Sequence, residues 1–238
     1  MQKLLKITLI LAIGLVHFTG EAQMVPPPQS KASKEDSGVL EPKDYSRLLG
    51  MSGFNDSLLK MHFTLYQGYV KNTNLLLSVL KNISPSDQTQ FGALKRRLAW
   101  EFNGVILHEL YFENLGGKTI LSSTDPLAQA LVKSFGSVDA WKKDFIGTGM
   151  MRGIGWAVLY LDPITKRLTN LWINEHDLGH LAGGTPILIM DVFEHAYMPQ
   201  YGLDRDKYID AFFQNIDWVT VSKRFTNVSS NSGPKGSK

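Results

Sequence analysis

Among its 238 residues the chain has no cysteine. That absence excludes disulfides, thiolate zinc sites, iron–sulfur clusters and a cysteine nucleophile, so any metal has to be held by histidine and carboxylate. No run of 18 apolar residues occurs, which leaves nothing long enough to span a membrane as a helix. Charge of one sign is also scarce: a formal net charge of +3, scattered along the chain, argues against a nucleic-acid partner. What is present is an ordinary globular composition, 43% hydrophobic and 20% charged, sufficient for one domain or two small ones.

The ends differ from the middle. Lys3 and Lys6 precede an apolar stretch from Ile7 to Val16, and Gly20 and Ala22 stand at −3 and −1 of a cut after Ala22. Residues 1–22 therefore read as a signal peptide, with export to a periplasm or the medium as the expectation. Residues 23–47 are polar, proline-rich and aperiodic, which predicts a disordered linker, and 227–238 predict a flexible tail.

Between these ends the period of the apolar residues changes once. Leu58, Leu59, His62, Leu65, Tyr66, Tyr69, Val70 and on to Leu80 have helical spacing, as one long helix or two broken near Asn72–Asn74. A second helix is predicted from Gln88 to Leu115, stopped by Gly116-Gly117, so residues 48–117 read as a helical hairpin. Asp125-Pro126 and Ser137 start two shorter helices. Gly155–Leu161 and Leu168–Ile173 are strands around the turn Asp162-Pro163, and the apolar stretch Pro186–Met190 is a third strand needing cover on both faces. Helices follow Tyr201, at Lys207–Asn215 and Trp218–Phe225. The fold class is α+β: a long helical hairpin, then an α/β part over residues 118–226 with a small three-stranded antiparallel sheet.

Three histidines lie where chemistry could gather. His62 is on the core-facing side of the first helix, His108 sits between Leu107 and Leu110 on the second, and His195 follows the third strand four residues after Asp191. A lone histidine on an apolar face is more often a hydrogen-bonded core residue than a ligand. Three of them with a carboxylate at a strand end change that weighing, because one shared metal would satisfy all four groups. Three nitrogens and one oxygen suit iron, manganese or zinc.

Asp191-Val-Phe-Glu-His-Ala-Tyr197 resembles the D-x-W-E-H-A-Y signature of the iron/manganese superoxide dismutases. The segment Tyr208–Trp218 is similar to the Y-x-x-x-F-W-x-x-x-N-W stretch of that family, and Phe102–Leu115 to its second-ligand helix. The resemblance implies a metal between the hairpin and the C-terminal part, with His62, His108, Asp191 and His195 as ligands and one iron or manganese ion per chain. It implies superoxide as substrate, disproportionated to dioxygen and hydrogen peroxide, and Tyr69 as the tyrosine at the mouth of the site. It also implies a homodimer in which Glu194 reaches the partner subunit's His195. Another redox enzyme, or a non-catalytic metal-binding protein on the same scaffold, is the alternative.

Departures at several positions bear on this. The first ligand of the family precedes the gate tyrosine by eight residues, whereas His62 precedes Tyr69 by seven and Met61 holds the eight-residue position. Either the ligand is lost or the helix lacks a one-residue bulge; seven residues is two helical turns, so His62 and Tyr69 still share a face. Tyr66 stands where the family has a histidine near the entrance. The glutamine that iron-type members carry four residues before the second-helix ligand is Gly104 here, and the loop before the third strand offers His176, with His180 as rival, for that role. Phe193 replaces a tryptophan that walls the site, and Met198 a tyrosine that supports the dimer contact.

Overall fold

The computed structural model describes residues 38–231; the expectations for residues 1–37 and 232–238 lie outside the described residues. Helix α1 spans Asp56–Leu80, its first turn closed by the Asn55 side chain accepting from the Leu58 N–H, a cap that stabilises by about 1 kcal/mol. It is continuous: Thr73 is buried within it, in the stretch where the sequence left a break open. Asp87 caps α2, Gln88–Glu113, in the same way. Helix α3, Pro126–Phe135, has the Asp125 cap and a proline in its first turn, where no N–H is needed, and ends at Gly136 with φ +89°. Ser137 caps α4, Val138–Gly149.

The strands are β1 (Gly155–Leu161), β2 (Leu168–Asn174) and β3 (Thr185–Asp191). They form one antiparallel sheet in the order β2-β1-β3, with Trp156 opposite Ile173 on one side and Asp191 on the other. The α+β class expected from the period change is the class observed. Central β1 is buried at every residue, while β3 is an edge strand whose apolar stretch is covered by α2 and α7. Gly155 opens β1 at φ +146°, and any Cβ there would meet the Ile173 carbonyl, so the strand can start only on glycine.

Helices α5 (Glu194–Tyr201), α6 (Arg205–Gln214) and α7 (Trp218–Asn231) complete the chain. The buried Asn114 at the end of α2 donates to the Ile189 carbonyl of β3 at 2.6 Å, and Arg224 of α7 donates to Asn114 Oδ1 and to the Ile187 carbonyl, both at 2.8 Å. These bonds lock the hairpin onto the sheet. The described residues share one continuous hydrophobic core.

Three sequence expectations are corrected. Residues 38–47, placed in the disordered linker, are ordered: Leu40 exchanges two hydrogen bonds with the Asn74 amide, Tyr45 is buried against Phe112, and a 3₁₀ turn follows at Ser46–Leu48. Residues 227–231, placed in the tail, continue α7. Helix α5 was missed because it is short, contains Pro199 and has no side-chain cap; the polar residue that could have signalled it, Asp191, is engaged two residues earlier.

Candidate metal centre

The hairpin brings two imidazoles together. His62 faces inward from α1 and His108 from α2, exposed by 2% and 0%. His108 Nδ1 lies 2.6 Å from the Gly104 carbonyl, which can only accept, so Nδ1 carries the proton and Nε2 is a bare lone pair. Burial pushes both histidines below the ordinary imidazole range, His108 further because the neighbouring His62 adds to the cost of charging it. Both are therefore neutral, the state a metal ligand needs.

The sheet side supplies a carboxylate and a third imidazole. Asp191 ends β3 fully buried; its Oδ1 accepts from the Phe193 N–H at 2.8 Å, and its carbonyl accepts from the Tyr208 hydroxyl at 2.5 Å. Burial opposes its ionisation, but His195 and then His62 outweigh that and hold the carboxyl well below its usual range. Around the remaining oxygen, Oδ2, stand His62 Nε2 at 3.2 Å, His195 Nε2 at 3.3 Å and His108 Nε2 at 3.7 Å.

This arrangement fits a metal. One donor atom from each of the four residues lies within 4.8 Å of every other. Ligands bound at about 2.0–2.2 Å at ordinary angles stand ~3–3.5 Å apart. His108 Nε2 and His195 Nε2 are buried without a hydrogen-bond partner, the condition expected of lone pairs aimed at a shared cation. The set of three imidazoles and one carboxylate is suited to iron and manganese.

Beside the centre runs a hydrogen-bonded chain. The Trp156 indole donates to His176 Nδ1 at 3.0 Å, and His176 Nε2 lies 2.9 Å from the Tyr69 hydroxyl. An indole N–H only donates, so Nδ1 is the acceptor, Nε2 holds the proton, and His176 donates to the Tyr69 oxygen. The phenolic proton of Tyr69 is left for another acceptor. Burial lowers His176 to about 4 and raises Tyr69 above its usual range, keeping both neutral at pH 7. His180 plays a different part: exposed, it bonds the Tyr160 hydroxyl at 2.8 Å and the His176 carbonyl at 2.9 Å, bracing the loop instead of facing the centre.

The departures acquire physical reasons. Helix α1 is regular α-helix throughout, and on it His62 turns inward while Met61 is 39% exposed. With seven-residue spacing the Tyr69 ring lies over Gly104, where a Cβ would come within 2.7 Å of it. A glutamine at 104 has no room, and the hydrogen-bond partner of Tyr69 comes from the loop. Tyr66 is fully buried and donates to Glu109 at 2.8 Å. Phe193 stacks between His176 and His195, with ring centroids 4.8 and 5.2 Å apart. Glu194 is exposed one residue before His195, and Met198 packs against the core. The hydrogen bonds of Trp156 to His176 and of Trp100 to Glu175 have no local sequence signal; only pairing across distant segments marks them out.

Residues 123–224 match the family model described as iron/manganese superoxide dismutases, C-terminal domain. The chain is 36% identical over 181 residues to a superoxide dismutase [Fe] of Cupriavidus metallidurans, covering 74% of this chain and 90% of the relative. It is 33% identical over 196 residues to a superoxide dismutase [Fe] of Aquifex pyrophilus, with 78% and 91% covered. To superoxide dismutase [Mn] 2 of Haloferax volcanii it is 34% identical over 166 residues, with 69% and 82% covered. With the four convergent donors and these matches together, the chain belongs to the iron/manganese superoxide dismutase family.

Proposed function

We propose that the chain disproportionates superoxide at a single iron or manganese ion held by His62, His108, Asp191 and His195. The observation that carries this reading is the neutral His176–Tyr69 pair standing next to three converging imidazoles and a carboxylate. A structural metal site has no use for a proton donor at its side. When bound, the ion supplies a one-electron couple, so that two superoxide anions and two protons become dioxygen and hydrogen peroxide.

The chain's own residues do the rest. Asp191 contributes one negative charge against a di- or trivalent cation, leaving the centre attractive to a small anion. His176 fixes the Tyr69 hydroxyl by donating to its oxygen, so its proton is presented away from His176 for delivery to reduced substrate. Trp156 fixes the His176 tautomer by donating to Nδ1, and Phe193 stacks on the buried ring. Relatives named for iron and for manganese match at similar identity, which supports one of these two ions without choosing between them.

The test is metal content and superoxide consumption on one preparation. Near one iron or manganese per chain with rapid dismutation supports the reading; a loaded but inactive protein, or one that takes only zinc, overturns it. Two further parts of the proposal rest on sequence. Exposed Glu194 beside His195 supports a homodimer closing over the centre, checked by light scattering of wild type and Glu194→Gln. The basic and apolar start of residues 1–22 supports export, checked by the N-terminus of the purified protein, expected at Gln23.

A further inference from the structure

Outside the ligand cluster, one group of side chains ties the Tyr69–His176 pair to α2. The indole of Trp100 lies across the edge of His176, with ring centroids 4.5 Å apart and planes at 64°, and touches the Tyr69 ring at 5.5 Å. Its Nε1 donates to Glu175 Oε2 at 2.9 Å. Glu175 immediately precedes His176 and has φ +51°, a left-handed conformation uncommon for a residue with a Cβ. On the outer side the Arg97 guanidinium covers the indole at 4.1 Å and pairs with Glu101, which is 2% exposed and also takes a bond from Asn72 of α1. Trp100 thus meets α1 through Tyr69, the loop through Glu175 and His176, and its own helix through Arg97.

We propose that Trp100 is a positioning residue: with Glu175 as its anchor, it holds the loop so that His176 Nε2 stays aimed at the Tyr69 oxygen. Two observations make this more than packing. Tyr69 and His176 come from segments 107 residues apart, and Trp100 is the aromatic ring in contact with both that also bonds the loop backbone's neighbour. The Trp100–Glu175 bond fastens the loop at a residue in a conformation it does not favour alone, so freeing Glu175 lets the turn relax and carries His176 with it. The proposal rests on the dismutase reading.

The experiment uses the metal-loaded protein with Trp100→Phe, Trp100→Ala, Glu175→Ala and Glu175→Gln, the last keeping an acceptor for the indole. Amide hydrogen exchange over residues 174–180 reads the clamp, and kinetics per bound metal read its consequence. Exchange there should rise by about tenfold in Trp100→Ala and Glu175→Ala, less in Trp100→Phe, and return to wild type in Glu175→Gln. In parallel kcat should fall by about fivefold or more with kcat/KM held within about twofold, because proton delivery is slowed and encounter is not. Unchanged loop exchange in both alanine variants overturns the proposal, as does a proportional loss of kcat and kcat/KM. Should the wild-type protein carry metal and consume no superoxide, the dismutase reading fails instead. The exchange data would then decide alone whether Trp100 holds the loop.

Discussion

Each half of the centre supplies two of the four candidate ligands, but the halves hold them by different means. On the helical side, position is set by rotation about an axis. Seven residues of regular α-helix return within about 20° of the starting face, whereas eight overshoot it by about 80°. His62 and Tyr69, seven apart on an unbroken α1, therefore share the inner face, and Gly104 on the facing helix makes room for the shifted ring. On the sheet side there is no such freedom. Asp191 is tied by pairing with Trp156, by the Phe193 N–H and by the Tyr208 hydroxyl, and His195 follows as the second residue of α5. A helix can exchange one register for another if its neighbour yields; a strand end bound on every side cannot.

The largest expected effect would break this picture at its centre. Asp191→Ala and His62→Ala should each reduce metal per chain to less than about a tenth, measured by elemental analysis after loading, since a buried site missing one of four ligands loses affinity steeply. Retention of metal and activity by His62→Ala would mean that His108 and the sheet side hold the ion without α1. Next comes the accommodation on α2. Gly104→Gln should leave metal content intact and lower dismutation per metal by about tenfold, a loss near 1.4 kcal/mol, because its Cβ would displace the Tyr69 ring. Gly104→Ala should do the same to a lesser extent. Full activity in both would show that Tyr69 has slack on its own helix.

Much of this was legible in sequence, for reasons that differ between the halves. Long helices declare themselves by period and caps, and β1 to β3 by turns and apolar runs, so the α+β layout could be read directly. The histidines and Asp191 stood out because polar groups on apolar faces demand an explanation. What could not be read was anything created by contact between distant segments: the Trp156–His176 bond, the Trp100–Glu175 bond, the Tyr69 ring over Gly104. His176 and His180 are alike in sequence, and only burial and hydrogen bonding separate the residue facing the centre from the one bracing the loop. The order of residues 38–47 was hidden because it depends on Asn74 and Phe112, far along the chain.

The loop side of the comparison has its own signature in acid. His176 is neutral in the fold with its pKa lowered to about 4 from an ordinary 6.5, so the unfolded chain binds the extra proton first as pH falls. The sign follows: stability present above about 6.5 is lost between 6.5 and 4, by up to about 3 kcal/mol for this group. The lowered His62 and His108 act in the same direction in metal-free protein, and Asp191 adds its loss only below the usual carboxylate range. Thermal midpoints between pH 7 and 4 should fall steadily, and His176→Gln should flatten part of that fall. An unchanged slope in this variant would mean that His176 is not held neutral.

The smallest expected effect decides the most about register. Met61 occupies the position that an eight-residue count from Tyr69 would give to the ligand, and a lost ligand would look the same in sequence as a rotated one. The two cases differ in what Met61 does. If α1 carried a bulge, residue 61 would turn inward and its thioether would fill the space of an imidazole. On the regular helix it is 39% exposed while His62 is 2% exposed. Met61→Ala should then leave metal content and dismutation at wild-type values and shift stability by no more than about 0.5 kcal/mol, as for other surface truncations. Loss of metal in Met61→Ala would place the bulge back in α1, remove His62 from the centre, and undo the account of Gly104 with it, because the Tyr69 ring would no longer need the space that glycine leaves.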